Sequence, residues 1–66
     1  MNARTAAPGL APLAYTIPEA AALLGVGRTT VYELIRSGEL ASIRIRRGRR
    51  VTRAAIEAYL ADRTAA

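Results

Sequence analysis

The chain has 66 residues, which is enough for one small domain with a single core. It contains neither cysteine nor histidine, which excludes thiolate and imidazole catalysis, disulfides and nearly all zinc sites. All ten basic residues are arginine, and against five acids they give a formal net charge of +5. We therefore expect no enzyme, no cofactor and no metal.

The positive charge is concentrated in one short segment between Ile43 and Ala54. The rest of the chain has four arginines against five acids and sums to about −1. Like charges this close together lower stability unless a partner neutralises them, so the segment predicts a polyanionic partner. Its arginines are Arg44, Arg46, Arg47, Arg49, Arg50 and Arg53.

Composition divides the chain into a domain with two tails. Residues 1–14 are mostly Ala, Pro, Gly and Leu without a helical or strand period, so we expect a flexible N-terminal tail. The folded domain is expected over residues 15–62, followed by a C-terminal tail over 63–66. No apolar run is long enough for a membrane span or a signal peptide, which predicts a cytoplasmic protein without a membrane partner.

The first predicted helix begins at a capping box. Thr16 is followed three residues later by Glu19, and Pro18 stands where a helix needs no backbone donor. A helix is therefore expected over residues 17–24, with Gly25 ending it in a left-handed turn.

A second helix is predicted over residues 28–37, with Gly27 as its cap and Gly38 closing it. Its polar residues spread over the remaining faces, while its apolar residues share one face and are expected in the core. These apolar residues are Val31, Leu34 and Ile35.

A β-hairpin follows. Residues 43–46 alternate apolar and charged side chains, as a half-buried strand does, and residues 50–52 can return beside them. Because directly opposite residues share a face, a buried Val51 must lie opposite an isoleucine, and pairing it with Ile45 leaves a loop over 47–49. That register sets Arg46 opposite Arg50 on the solvent face and predicts Ile43, Ile45 and Val51 in the core.

A third helix is expected over residues 53–62. Thr52 can cap it, and Arg53 can pair with Glu57 at the i+4 position. An apolar stripe along this helix should face the core, and Tyr15 should join it there. The stripe consists of Ala55, Ile56, Tyr59 and Leu60.

Two helices joined by a tight glycine turn form either a plain helical hairpin or a helix-turn-helix that places its second helix in the DNA major groove. The small, glycine and apolar positions Ala21, Gly25, Val31 and Leu34 resemble the helix-turn-helix pattern. With the basic hairpin and closing helix, residues 15–62 resemble the winged-helix proteins of the excisionase and MerR-like group. The most specific parts are residues 32–40 and the arginine-rich hairpin, which we call the wing.

This resemblance implies a mainly α winged helix-turn-helix with a small β-hairpin, in the order α-α-β-β-α, that binds double-stranded DNA. Two roles remain open: a recombination directionality factor (excisionase) that binds and bends DNA near attachment sites and promotes integrase-mediated excision, or a small transcriptional regulator. The long dimerisation helix and effector domain of full MerR-type regulators are absent from the 66 residues, so no small-molecule effector is expected. Size and family likeness also suggest cooperative self-association on DNA.

In the second helix, Arg28 is the candidate for guanine, and Tyr32 can donate to a phosphate. Glu33 departs from the basic or neutral residue expected there. It can accept from the N4 amine of cytosine, or hold Arg28 or Arg36 in place. The candidate recognition-helix residues are Arg28, Thr29, Thr30, Tyr32, Glu33 and Arg36.

In the wing, Arg47 and Arg49 flank Gly48 and are expected to enter the minor groove. Outward-pointing Arg44, Arg46 and Arg50 are expected along the phosphates beside it. The candidate wing residues are Arg44, Arg46, Arg47, Gly48, Arg49 and Arg50.

Two other classes of function compete with DNA binding. Arginine-rich hairpins also bind structured RNA, although the basic segment carries no aromatic side chain for stacking an unpaired base. A protein-interaction module is the third possibility, but such modules often carry acidic or apolar interfaces, which the basic segment does not provide.

Overall fold

The computed structural model describes residues 11–65, so residues 1–10 of the tail expected over residues 1–14 lie outside the described part. The elements are β1 (Ala14–Thr16), α1 (Ile17–Leu24), α2 (Arg28–Arg36), β2 (Ile43–Ile45), β3 (Gly48–Thr52) and α3 (Arg53–Thr64). The mainly α fold with a hairpin between the second and third helices is confirmed. The strand β1 was not predicted, and it begins at the last residue of the expected tail.

Helix α1 begins and ends as the sequence predicts. The Glu19 amide donates to Thr16 Oγ1 over 3.3 Å, and the Thr16 amide donates to Glu19 Oε1 over 2.8 Å, which completes the capping box. Gly25 has a φ of 73° and donates its amide to the carbonyls of Ala21 and Ala22. A residue with a Cβ rarely adopts this conformation, which explains the glycine.

Helix α2 ends at Arg36, one residue earlier than expected, and Ser37 caps it. Gly38 then takes a φ of 85°, and the amides of Glu39 and Leu40 return to the Leu34 carbonyl over 3.0 and 3.1 Å. This closing turn delivers Leu40 into the core, where it is almost completely buried.

The core lies where α1, α2, β3 and α3 meet. The small side chains of Ala20 and Ala21 are buried in α1, which contacts α2. Tyr15 and Tyr59 pack against the core while remaining partly exposed, but Leu60 of the predicted apolar stripe is 44 % exposed. The buried residues are Ile17, Ala20, Ala21, Val31, Leu40, Val51 and Ile56.

The sheet has three antiparallel strands in the order β1-β3-β2, with β3 in the centre. Val51 lies opposite Tyr15 of β1, so the predicted pairing of Val51 with Ile45 is wrong. The predicted register took only β2 as a partner of β3, whereas β1 also pairs with it. Burial of Val51 comes from β1 and the helices, which leaves β2 free to pair with the outer half of β3.

The observed register places Ile43 opposite Arg50, Arg44 opposite Arg49 and Ile45 opposite Gly48. The hairpin therefore turns through residues 46–47, and the predicted loop over 47–49 with Arg46 opposite Arg50 is wrong. The isoleucines were also expected in the core. Ile43 is 44 % exposed and Ile45 is 43 % exposed, so this expectation is wrong as well.

Helix α3 begins as predicted, because Thr52 Oγ1 accepts from the Ala55 amide over 3.0 Å. The expected ion pair forms between Arg53 Nε and Glu57 Oε2 at 3.2 Å. The helix continues to Thr64, two residues beyond the expected end.

The last turn of α3 is tied to the segment that follows α2. The Arg63 guanidinium lies over the Tyr59 ring, 4.8 Å from its centroid, and pairs with Glu39. The Ser37 hydroxyl and then Arg63 lower the pKa of the Glu39 carboxyl by hydrogen bonding to its charged form. These contacts link the end of the chain to the α2–β2 connection.

Candidate nucleic-acid interface

The outer face of α2 carries polar side chains opposite the buried Val31. At about 100° per residue, Glu33 lies about 200° from Val31 around the helix axis, and Thr29 and Arg36 lie on the same outer side. The structure exposes five of the six predicted recognition-helix residues: Arg28, Thr29, Tyr32, Glu33 and Arg36. Thr30 is half-buried, so it lies at the flank of this face rather than at its centre.

Helix α2 also presents its amino terminus. Its cap, Gly27, provides no side-chain hydrogen bond, and the first intrahelical bond runs from the Val31 amide to the Gly27 carbonyl over 3.2 Å. The amides of the first turn thus have no partner within the helix. Amides in this position can donate to a phosphate.

The cations of α2 are not neutralised within the domain. Neither the Arg28 nor the Arg36 guanidinium has an ion-pair partner among residues 11–65. Three acids elsewhere are engaged: Glu19 in the capping box, Glu39 with Arg63, and Glu57 with Arg53. The positive charges of α2 therefore remain available to an external anion.

The observed register sorts the wing arginines onto two faces. Residues directly opposite in an antiparallel pair share a face, and successive residues alternate between faces. Arg44 and Arg49 therefore lie on the side of Val51, while Ile43, Ile45 and Arg50 lie on the other. The expectation that Arg44 and Arg50 point outward together is wrong.

A hydrogen bond to the residue before β2 positions Arg49 of the wing. Arg49 Nη1 donates to Ser42 Oγ over 2.9 Å, which holds the Arg49 side chain along the hairpin. Ser42 was not predicted from the sequence, because only the observed register brings it near Arg49.

Gly48 lies in a strand rather than in the predicted loop over residues 47–49. It is the first residue of β3, and the Arg50 guanidinium lies over it and donates to the Arg49 carbonyl over 3.2 Å. A Cβ on Gly48 would overlap this guanidinium, and the flexible Arg50 side chain would have to move to relieve the overlap.

Arg46 and Arg47 form the tip of the wing, and both are exposed. Arg46 takes the left-handed conformation with a φ of 55°. Neither guanidinium has a hydrogen-bond or ion-pair partner within the described part of the chain. The tip therefore presents two uncompensated positive charges.

Other kinds of site find no support in residues 11–65. This part of the chain contains no group of acidic, histidine or cysteine side chains that could hold a metal ion. None of its helices is both long enough and apolar enough to cross a membrane.

Comparison with known proteins identifies the family and two relatives of this chain. The helix-turn-helix domain family matches residues 14–64. A protein named "Probable excisionase" from Saccharopolyspora erythraea is 54 % identical over 46 residues, which cover 70 % of this chain and 47 % of the relative. A protein named "Excisionase" from Streptomyces ambofaciens is 47 % identical over 51 residues, which cover 77 % of this chain and 82 % of the relative.

The chain thus spans about half the length of the first relative and most of the second. No solved structure gives a significant match. The family match over residues 14–64 includes both the helix-turn-helix and the wing. The chain therefore belongs to the excisionase-type helix-turn-helix family of DNA-binding proteins.

Proposed function

We propose that this protein acts as an excisionase that binds duplex DNA beside attachment sites and promotes excision by an integrase. The observation that carries the proposal is the combination of an exposed polar face on α2 with an uncompensated arginine tip on the wing. In a winged helix-turn-helix, the helix enters the major groove and the wing reaches the neighbouring backbone or minor groove. The names of the two relatives favour recombination over transcriptional regulation.

In this arrangement the two parts of the surface do different work. The wing supplies affinity, because each phosphate neutralised by an arginine releases bound counterions. Helix α2 reads base edges, where Arg28 is our candidate for guanine through O6 and N7. The protein itself performs no bond chemistry and acts by shaping the DNA for its partner recombinase.

The salt dependence of duplex binding tests the electrostatic part. We expect a log-log slope of about −4 to −6 if five or six phosphates are neutralised. Replacing Arg47 and Arg49 by alanine should weaken binding to every duplex and flatten the slope by about 2. Arg53→Ala is the control: this arginine is already paired with Glu57, so its loss should change the affinity and the slope less. A slope near zero for the unmodified protein would overturn the proposal.

Competition between ligands separates DNA from RNA and protein partners. A specific duplex should displace bound DNA better than a folded RNA of equal length at equal salt. Preference for the RNA would overturn duplex binding in favour of an RNA role. The absence of salt-sensitive binding to any duplex would instead favour a protein-interaction module.

The proposed role in excision is tested together with a partner integrase. In a reconstituted recombination reaction, we expect the protein to increase excision and to protect several adjacent sites in a footprint, since one small module covers little DNA. A footprint confined to one isolated site would contradict side-by-side binding. DNA binding without any effect on excision would favour the transcriptional regulator.

A further inference from the structure

We propose that Glu33 selects a cytosine in the major groove by accepting a hydrogen bond from its N4 amine. The inference rests on the proposed DNA-binding function and adds a specificity-determining residue to it. Glu33 is exposed on α2, on the side of the helix opposite the buried Val31. Its nearest neighbours on that side, Thr29 at i−4 and Arg36 at i+3, are exposed too. The carboxylate therefore stands at the centre of the face that would meet the bases.

The structure decides between the two roles that the sequence left open for Glu33. Its carboxylate has no hydrogen-bond or ion-pair partner among residues 11–65, so it holds neither Arg28 nor Arg36. By contrast, Glu57 of α3 does pair with Arg53, which lies four residues before it. An unpaired carboxylate at the centre of a basic surface weakens binding to phosphates, and a hydrogen bond from a base would offset this loss.

The hydrogen-bonding pattern of the major groove identifies that contact. A carboxylate only accepts hydrogen bonds. Guanine presents two acceptors there, thymine presents one acceptor, and adenine places its N7 acceptor beside its single donor amine. Cytosine presents the N4 amine, so it is the base that an ionised Glu33 favours. The acceptors of guanine, thymine and adenine would repel the carboxylate.

Selection of binding sites from a random duplex pool tests the proposal. The unmodified protein should select cytosine at one position, and Glu33→Gln should lose that preference or move it to adenine, which glutamine reads through N6 and N7. The loss of affinity for the selected site should be about 5- to 150-fold, corresponding to about 1–3 kcal/mol of base discrimination. Binding to a random duplex should become stronger, because a negative charge has been removed from the interface.

Asp62→Asn provides the matched control. It removes one negative charge from α3 instead of α2, and Asp62 is exposed there. It should leave the selected sequence unchanged, while melting curves should show that both variants remain folded. If Glu33→Gln selects the same sequence as the unmodified protein, Glu33 does not select cytosine. If Glu33→Gln binds all duplexes more tightly to the same extent, Glu33 only repels phosphates.

The same experiments distinguish failure of the Glu33 assignment from failure of the proposed DNA-binding function. If the unmodified protein selects a sequence that Glu33→Gln also selects, only the assignment of Glu33 is wrong. If the unmodified protein selects no duplex sequence and its binding does not depend on salt, both the proposed function and the assignment of Glu33 are wrong.

Discussion

Arg46 shows how a single residue shapes the tip of the wing. It is the non-glycine residue with a positive φ, 55°, in the described part of the chain. For an L-residue this conformation costs about 1–2 kcal/mol. Strain of this kind gathers at functional sites, where the side chain is needed more than the relaxed backbone.

Replacement of Arg46 separates its backbone from its charge. We expect Arg46→Gly to be more stable than Arg46→Ala by about 1 kcal/mol, because glycine adopts a positive φ without strain. Both variants lose the same charge, so both should bind duplex DNA more weakly and to a similar extent. Chemical denaturation and a binding titration measure the two effects. Equal stability of the variants would contradict the strain at position 46.

At the scale of elements, β3 connects the wing to the core. Its end next to α3 pairs with β1 and carries the buried Val51, while its beginning pairs with β2. The two halves of one strand therefore differ in purpose: one stabilises the domain, and the other extends a basic hairpin away from it.

Paired substitutions on the two halves of the sheet test this division. Val51→Ala should destabilise the domain by about 2 kcal/mol, because it leaves a space in a fully buried site. Ile45→Ala should cost less than about 1 kcal/mol, because Ile45 is 43 % exposed. Urea denaturation of both variants gives the comparison. Similar losses would favour the hairpin register that places Ile45 opposite Val51.

At the scale of the whole molecule, a small core coexists with a concentrated positive charge. Seven residues form the buried core among those described, and the net charge of the chain is +5. Domains of this size have little stability to spare. A polyanion that neutralises the arginines should therefore stabilise the fold itself.

The melting temperature should rise when duplex DNA binds. At a ligand concentration 100 times Kd, binding contributes about 2.7 kcal/mol, which corresponds to a shift of about 10–20 °C for a domain this small. The shift should shrink as salt is added, since the affinity falls with salt. Calorimetry with and without a specific duplex measures it, and a shift that does not respond to salt would contradict an electrostatic origin.

Local sequence was sufficient for the three helices and their starts, while the ends of α2 and α3 differ from expectation by one and two residues. The capping box at Thr16 and Glu19, the left-handed Gly25 and Gly38, and the Thr52 cap all depend on residues within four positions of one another. The family resemblance also identified the helix-turn-helix and the wing from local sequence, chiefly residues 32–40 and the arginine-rich hairpin. The candidate residues of both surfaces remain predictions until binding is measured.

The sheet register depended on tertiary structure. Strand β1 has only three residues, and its pairing with β3 joins positions more than 30 residues apart, so no local pattern reveals it. That pairing buries Val51. Strand β2 then pairs with residues 48–50 of β3, and the hairpin turn falls at Arg46 and Arg47. The sequence alone therefore determined where the helices lie and where the charge is concentrated. Only the three-dimensional packing decided which face each wing arginine occupies, because a one-residue change in strand register exchanges the two faces.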